Sequence, residues 1–210
     1  MIFDFNELNN KYHFDIKGII HVGGHHGQEY DLYKTLNVPI LFFEPTINSF
    51  NVLKNKINND DNVLAFQCAL GNENKTVIMN VETANNGQSS SILKPKKHLE
   101  QYPHITFDFI EEVNMFRLDD LDIDILKYNF INIDVQGYEL EVFKGAFETL
   151  KNIDYIISEV NRDEVYENCP HINDLDIFLS QYGFERTETN WAGGIWGDAF
   201  YIKNENIIHN

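Results

Sequence analysis

The run GIIHVGGHHGQEYDLY (18–33) sets Gly23, Gly24, His25, His26 and Gly27 between an apolar segment and an amphipathic one. Glycines at such a turn let the backbone approach a ligand closely, and a helix starting beyond them offers free N–H groups. About twenty residues further on, the apolar run LFFEPT contains Glu44, a spacing at which a carboxylate accepts hydrogen bonds from ribose hydroxyls. The two features together read as a nucleotide-cofactor site. Each has a plainer alternative: a tight glycine turn, since the pattern is not a full GxGxxG, and a carboxylate capping the helix that starts near Thr46. Their combination outweighs both.

Other residues offer acid–base or metal chemistry. His25 and His26 are adjacent, so in a turn they point in different directions, and no spaced Cys, His or Asp partner set accompanies them. No metal site is expected there, and His21 reads as a packed, hydrogen-bonded residue. Asp134 and Glu159 each end an apolar run. Two carboxylates at neighbouring strand ends are suited to take a proton, or to bind a divalent ion through hard oxygen ligands. His25 and His26 are the other candidate bases.

Short apolar runs alternating with helical patterns must position these groups, which is the signature of an α/β sheet with both faces covered. Strands are expected at 18–22, 40–44, 63–69, 129–134, 155–159, 184–188 and 199–203. Helical faces are expected from Ile47, Phe50, Leu53 and Ile57; from Leu140, Phe143, Phe147 and Leu150; and from Leu175, Phe178, Leu179 and Tyr182. A short strand at 76–81 precedes a polar stretch, 82–112, which reads as a lid or acceptor-binding loop. TNWAGGIWGDA (189–199) reads as the tip of a closing hairpin.

With 210 residues, the chain fits a single domain. Its net charge of −17 argues against a nucleic-acid partner, because phosphate backbones are met by clustered Lys and Arg. Two cysteines make no disulfide framework, and no apolar run reaches the roughly 18 residues of a membrane span. A cytoplasmic protein with no membrane partner is expected. The sequence is silent on oligomeric state.

The segments HVGGHHGQE, FFEPT, QCALGN, SSSIL, RLDDL, FINIDVQGYELEVFKGA and IISEV occur in an order that resembles FkbM-family methyltransferases, over roughly 18–160. The resemblance implies a Rossmann-like class I fold that binds S-adenosyl-L-methionine (SAM): a seven-stranded, mostly parallel sheet with an antiparallel last strand and helices on both faces. It implies O-methylation, often of a sugar hydroxyl in a glycan or glycoconjugate. His21 stands where the family has an acidic residue, and Gly24–His25 where it has Ala–Asn. On this reading Glu44 takes the ribose diol, Cys68–Gly71 borders the adenine, Gly23 and Gly24 pass the methionine portion, and Asp134 lies beside the sulfonium. The cofactor set is His21, Gly23, Gly24, His25, Glu44, Pro45, Ala69, Leu70, Ser90, Asp134 and Val135; the catalytic set is Asp134, Glu159 and His26. GQSSSIL and NWAGGIWG are the acceptor-side candidates. Two alternatives stay open: an NAD-dependent sugar-nucleotide oxidoreductase or epimerase, although no Tyr-xxx-Lys pair is present, and a non-catalytic SAM-fold binding module.

Overall fold

The expected runs form the strands of a seven-stranded sheet, here described from a computed structural model covering residues 1–58, 60–192 and 194–206. In chain order the strands are β1 (Ile19–Val22), β2 (Ile40–Phe43), β3 (Val63–Phe66), β4 (Ala69–Leu70), β5 (Lys75–Val81), β6 (Phe109–Phe116), β7 (Phe130–Ile133), β8 (Tyr155–Asn161), β9 (Phe184–Ala192) and β10 (Trp196–Lys203). The main sheet has the order β3-β2-β1-β7-β8-β10-β9. Its first five strands are parallel, and β10 runs antiparallel between β8 and β9. β1, β2, β7 and β8 are buried along their whole length. Covering both faces of a parallel sheet requires such near-continuous apolar strands.

Alternate side chains feed two cores. Ile20, Val22, Leu41, Ile131, Ile133 and Val160 pack with α5 (Glu139–Lys144) and α6 (Ile172–Ser180). Ile19, Ile40, Phe42, Phe130 and Ile157 pack with α1 (Phe5–Tyr12), α2 (Tyr30–Lys34) and α3 (Ile47–Lys56). Helix α1 was not anticipated; Asp4 caps it by accepting from the N–H groups of Asn6 and Glu7, and Phe5 and Leu8 bury its apolar side.

Several expectations are corrected. The run 63–69 is not one strand: β3 ends at Phe66, and Ala69–Leu70 belongs to a second sheet of order β4-β6-β5. Leaving Gln67 exposed, the chain crosses to pair in parallel with β6, while β5 pairs antiparallel with it. Ala69, Met79, Val113 and Met115 form a small core of their own. The polar stretch 82–112 is not a bare loop either, because it contains the short helix α4 (Lys97–Gln101) and the start of β6. On α3, Leu53 and the following Ile57 face the core as expected, but Ile47 is exposed and Ser49 is buried in its place. Phe147 lies beyond α5, exposed under the Arg117 guanidinium. The closing hairpin forms as expected between β9 and β10; Gly193 in its turn lies outside the described residues. No helix among the described residues is long and apolar enough to cross a membrane.

Candidate active site

The carboxyl ends of β1, β2, β7 and β8 open into a cavity of about 790 Å³. Ligands of open α/β sheets bind at this edge. Of the residues singled out in the sequence, His21, Gly23, His25, Glu44, Pro45, Ala69, Leu70, Ser90, Asp134, Val135 and Glu159 line it; Gly24 and His26 do not.

The glycine turn explains the difference. Gly23 has φ +84°, and a Cβ there would lie 1.9 Å from the Asp134 carbonyl oxygen. Gly23 therefore lets the ends of β1 and β7 close together, which brings Asp134 to the cavity. A Cβ on Gly24 would strike the Phe42 ring at 2.8 Å, so this glycine serves packing beneath the sheet. The two histidines do not point apart as expected: the His26 ring stacks on His25 with centroids 3.8 Å apart, and partial burial, with the neighbouring His25, lowers its pKa. His25 is committed elsewhere. Its Nε2 donates to the Asn86 carbonyl at 2.8 Å, and its Nδ1 accepts from Gln28 at 2.7 Å, so the turn is latched to the 82–92 segment.

Glu44 is buried at the tip of β2. One oxygen accepts from the Thr46 N–H (2.9 Å) and hydroxyl (2.7 Å), the other from the His25 N–H (2.9 Å). A carboxylate has about four acceptor positions, so capacity remains for a ligand hydroxyl. Burial pushes the Glu44 pKa up, and these hydrogen bonds oppose the shift. His21 lies deeper, its ring near Phe42 and 3.3 Å from the Tyr33 hydroxyl, which also accepts from Asn132. Burial lowers its pKa and keeps the imidazole neutral.

Asp134 and Glu159 are brought together by a residue not singled out in the sequence. Gln136 Nε2 donates to Asp134 Oδ1 and to Glu159 Oε2, each at 2.6 Å. Its Oε1 accepts from the Tyr166 hydroxyl at 2.6 Å, and Tyr166 also reaches the Ser89 carbonyl at 3.0 Å. Gln136 adopts φ +55°, a left-handed conformation that costs a non-glycine residue energy and recurs at functional sites. Glu159 is almost fully buried. Burial first, then the charges of Asp134 and Glu139 and a hydrogen bond with Asp134, push its pKa well above the usual range. Glu159 therefore gives up its proton less readily than an ordinary glutamic acid. Glu139, fully buried, accepts from the N–H groups of Val135 and Gly137 at 3.1 Å and ties the turn together; burial pushes its pKa up to about 7.

The 82–93 segment covers this floor and is pinned by its own polar side chains. Glu82 accepts from the N–H groups of Asn85 and Gly87, Ser90 accepts from the Glu82 N–H, and Ser91 donates to the Gln136 carbonyl at 2.7 Å. Asn80 on β5 reaches the Ser91 and Leu93 carbonyls. Tyr102, His98 and Trp196 complete the wall, Trp196 Nε1 donating to the Tyr102 hydroxyl at 3.0 Å. Trp196 fell within an anticipated acceptor segment, whereas Tyr102, Tyr166 and Glu29 carried no signal of their own. Among the described residues no cluster of three metal-ligating side chains exists.

The donor set fits SAM. Cys68, Ala69, Leu70, Phe43 and Pro45 give apolar contact beside the buried Glu44, and Asp134 offers negative charge for a sulfonium. Among the described residues no Lys or Arg lines the cavity to meet the pyrophosphate of a dinucleotide.

Comparisons with known proteins agree. A family model described as a methyltransferase FkbM domain matches residues 21–186. A curated relative, the 2-O-methyltransferase NoeI of Sinorhizobium fredii, is 38% identical over 81 residues, which are 38% of this chain and 33% of that protein. The match thus spans about a third of the relative's length. A SAM-dependent methyltransferase from Aquifex aeolicus superposes with a TM-score of 0.50 at 11% identity, covering 96% of this chain and 90% of that one. Magnesium protoporphyrin IX methyltransferase from Synechocystis, solved with bound SAM, gives 0.51 at 8% identity over 88% and 69%. At these identities the likeness shows the fold, that of class I SAM methyltransferases, with the expected antiparallel last strand.

Proposed function

Because the chain belongs to the FkbM methyltransferase family, with SAM as cofactor, we propose that it transfers the SAM methyl group to a hydroxyl, specifically one on a sugar ring. The carrying observation is the Gln136-bridged pair of Asp134 and Glu159 in a cavity that also presents Glu44. The relative that acts as a 2-O-methyltransferase supports oxygen as the acceptor atom.

SAM supplies an electrophilic methyl group on sulfur when bound. Glu44 would hold the ribose hydroxyls, Cys68–Leu70 would border the adenine, and Asp134, brought to the cavity by the Gly23 turn, would face the sulfonium. His21, Gly23, His25 and Val135 would flank the methionine portion, and Ser90 would close over it. A sugar hydroxyl is a weak nucleophile at neutral pH, so alignment and removal of its proton carry the catalysis. A carboxylate oxygen of Asp134 would accept that proton as the acceptor oxygen bonds the methyl carbon and the carbon–sulfur bond breaks, with S-adenosylhomocysteine leaving, and would then pass it to water. Protonated Glu159 donates a hydrogen bond that steadies the acceptor, and Gln136 fixes both carboxyl groups. The 82–93 segment excludes water over the reacting atoms.

Incubation with methyl-labelled SAM and a panel of glycosides and glycans tests the proposal. Label in an alkali-stable methyl ether on a sugar supports it. Label in an ester or an amine, or NAD binding in place of S-adenosylhomocysteine, overturns it.

A further inference from the structure

Part of the cavity wall is aromatic. Trp196 and Tyr102 hold each other by the 3.0 Å hydrogen bond between indole and hydroxyl, and His98 packs against Tyr102 and Tyr166. Such rings present apolar faces with polar edges, a surface that suits a sugar ring. The charged side chains of the cavity are all acidic, and the Met1 ammonium that also lines it is taken up by Glu29 at 3.2 Å. Glu29, Glu44, Asp134 and Glu159 line the cavity, and among the described residues no Lys or Arg does.

Basic residues do occur next to the aromatic wall, but they are already occupied. Lys96 pairs with Glu164, Lys97 pairs with Asp163, and the Arg162 guanidinium lies 3.7 Å from the centre of the Trp191 ring. Burial lowers the pKa of His98, so this wall imidazole is neutral near pH 7. Proteins recognise phosphate and carboxylate groups through Arg, Lys or converging N–H groups. In a confined site of low dielectric, an anion facing unpaired carboxylates is repelled strongly. The SAM sulfonium and ammonium, less its carboxylate, bring one net positive charge. The Met1 ammonium offsets Glu29, and Glu44 and Asp134 together outweigh the one positive charge of SAM even when Glu159 carries a proton, so the loaded site stays negative.

We infer that the acceptor is a sugar residue with no phosphate or carboxylate of its own, presented as a glycoside and not as a sugar nucleotide or a uronic acid. This rests on the sugar-hydroxyl reading above. It also places the reaction after glycosidic linkage: a glycosyl transfer that releases the nucleoside diphosphate supplies the substrate.

The test compares a methyl hexopyranoside, the matching methyl hexuronoside and the matching UDP-hexose, each with labelled SAM at pH 8, where an ordinary imidazole is neutral. The neutral glycoside is expected to be methylated with kcat/KM at least about 30-fold above either anionic analogue, as repulsion in a low-dielectric site demands. Ala84 and Gln88 are exposed members of the wall. Ala84→Lys and Gln88→Lys should each narrow the gap to the hexuronoside by at least about threefold. A UDP-hexose or hexuronoside methylated as well as the glycoside overturns the inference and leaves methyl transfer to sugars standing. An unchanged gap in both lysine variants overturns its electrostatic basis. Methylation of none of the three, with S-adenosylhomocysteine still bound, removes the sugar-hydroxyl reading and this inference together.

Discussion

Asp134 follows β7 and Glu159 lies on its parallel neighbour β8, just beyond the last β7–β8 pair, and a single amide, that of Gln136, donates to both at 2.6 Å. The pair is asymmetric. Glu159 is the more deeply buried, and that burial raises its pKa well above the usual carboxylate range.

Asp134→Asn should lower turnover at least about tenfold, the lower range for losing a positioned general base, with the far-UV circular dichroism unchanged. Glu159→Gln copies the protonated side chain and should stay within about threefold of the parent at pH 7. The two variants separate base from proton holder. Equal losses in both would assign both groups the same role.

The same asymmetry sets a pH dependence. The folded-state pKa of Glu159 lies above its unfolded value. Its contribution to stability is therefore complete below the ordinary glutamate pKa and is lost as pH rises through the raised one. Melting temperatures from pH 6 to 9 should fall more steeply for the parent than for Glu159→Gln. Parallel curves would show that Glu159 does not titrate in that window.

Glu44→Ala should weaken S-adenosylhomocysteine binding by about 1–3 kcal/mol, the range for losing a hydrogen-bonding partner. Calorimetry reads this directly, with NAD as the control that should not bind. Gly23→Ala should destabilise the fold by more than about 1 kcal/mol, because its φ of +84° and the carbonyl 1.9 Å from any Cβ both oppose a side chain. Chemical denaturation measures that loss.

Tyr166→Phe removes the hydroxyl shared by the Ser89 carbonyl and Gln136. Turnover should fall about three- to tenfold, in line with one lost hydrogen bond of roughly 1 kcal/mol, while S-adenosylhomocysteine affinity holds. A loss of affinity in place of turnover would make Tyr166 a support of the cofactor site.

Hydrogen exchange across 82–93 should slow when S-adenosylhomocysteine and acceptor are both present, since this segment caps the site through exchangeable contacts such as His25 to Asn86. Equal protection with and without ligands would make the segment a fixed wall.

Much of the frame was legible because a parallel sheet covered on both faces demands runs such as Ile40–Phe43 and Phe130–Ile133, and little else in a soluble chain looks like them. Glu44, Asp134 and Glu159 could be placed by reading where those runs stop. What stayed hidden depends on distance through space. Gly23 and Gly24 are neighbours of one type, yet one admits the Asp134 carbonyl and the other the Phe42 ring. Gln136 finds Tyr166 thirty positions along the chain, a pairing no local pattern encodes. Strand β4 is two residues long, too short for any periodicity to announce it.

That short strand has a further consequence. Ala69 pairs with Met115 and Leu70 with Phe116, so the excursion between β3 and β7 enters and leaves the second sheet at almost the same place. Between those points lie β5, the capping segment and α4, with residues of the aromatic wall among them. A stitched excursion of this kind can change length or sequence without pulling on the strands that present Glu44 and Asp134. The acceptor wall is accordingly modular: exchanging residues 94–108, which hold His98 and Tyr102 but not Ser90, between relatives should shift the choice of acceptor while the cofactor half carries on unchanged.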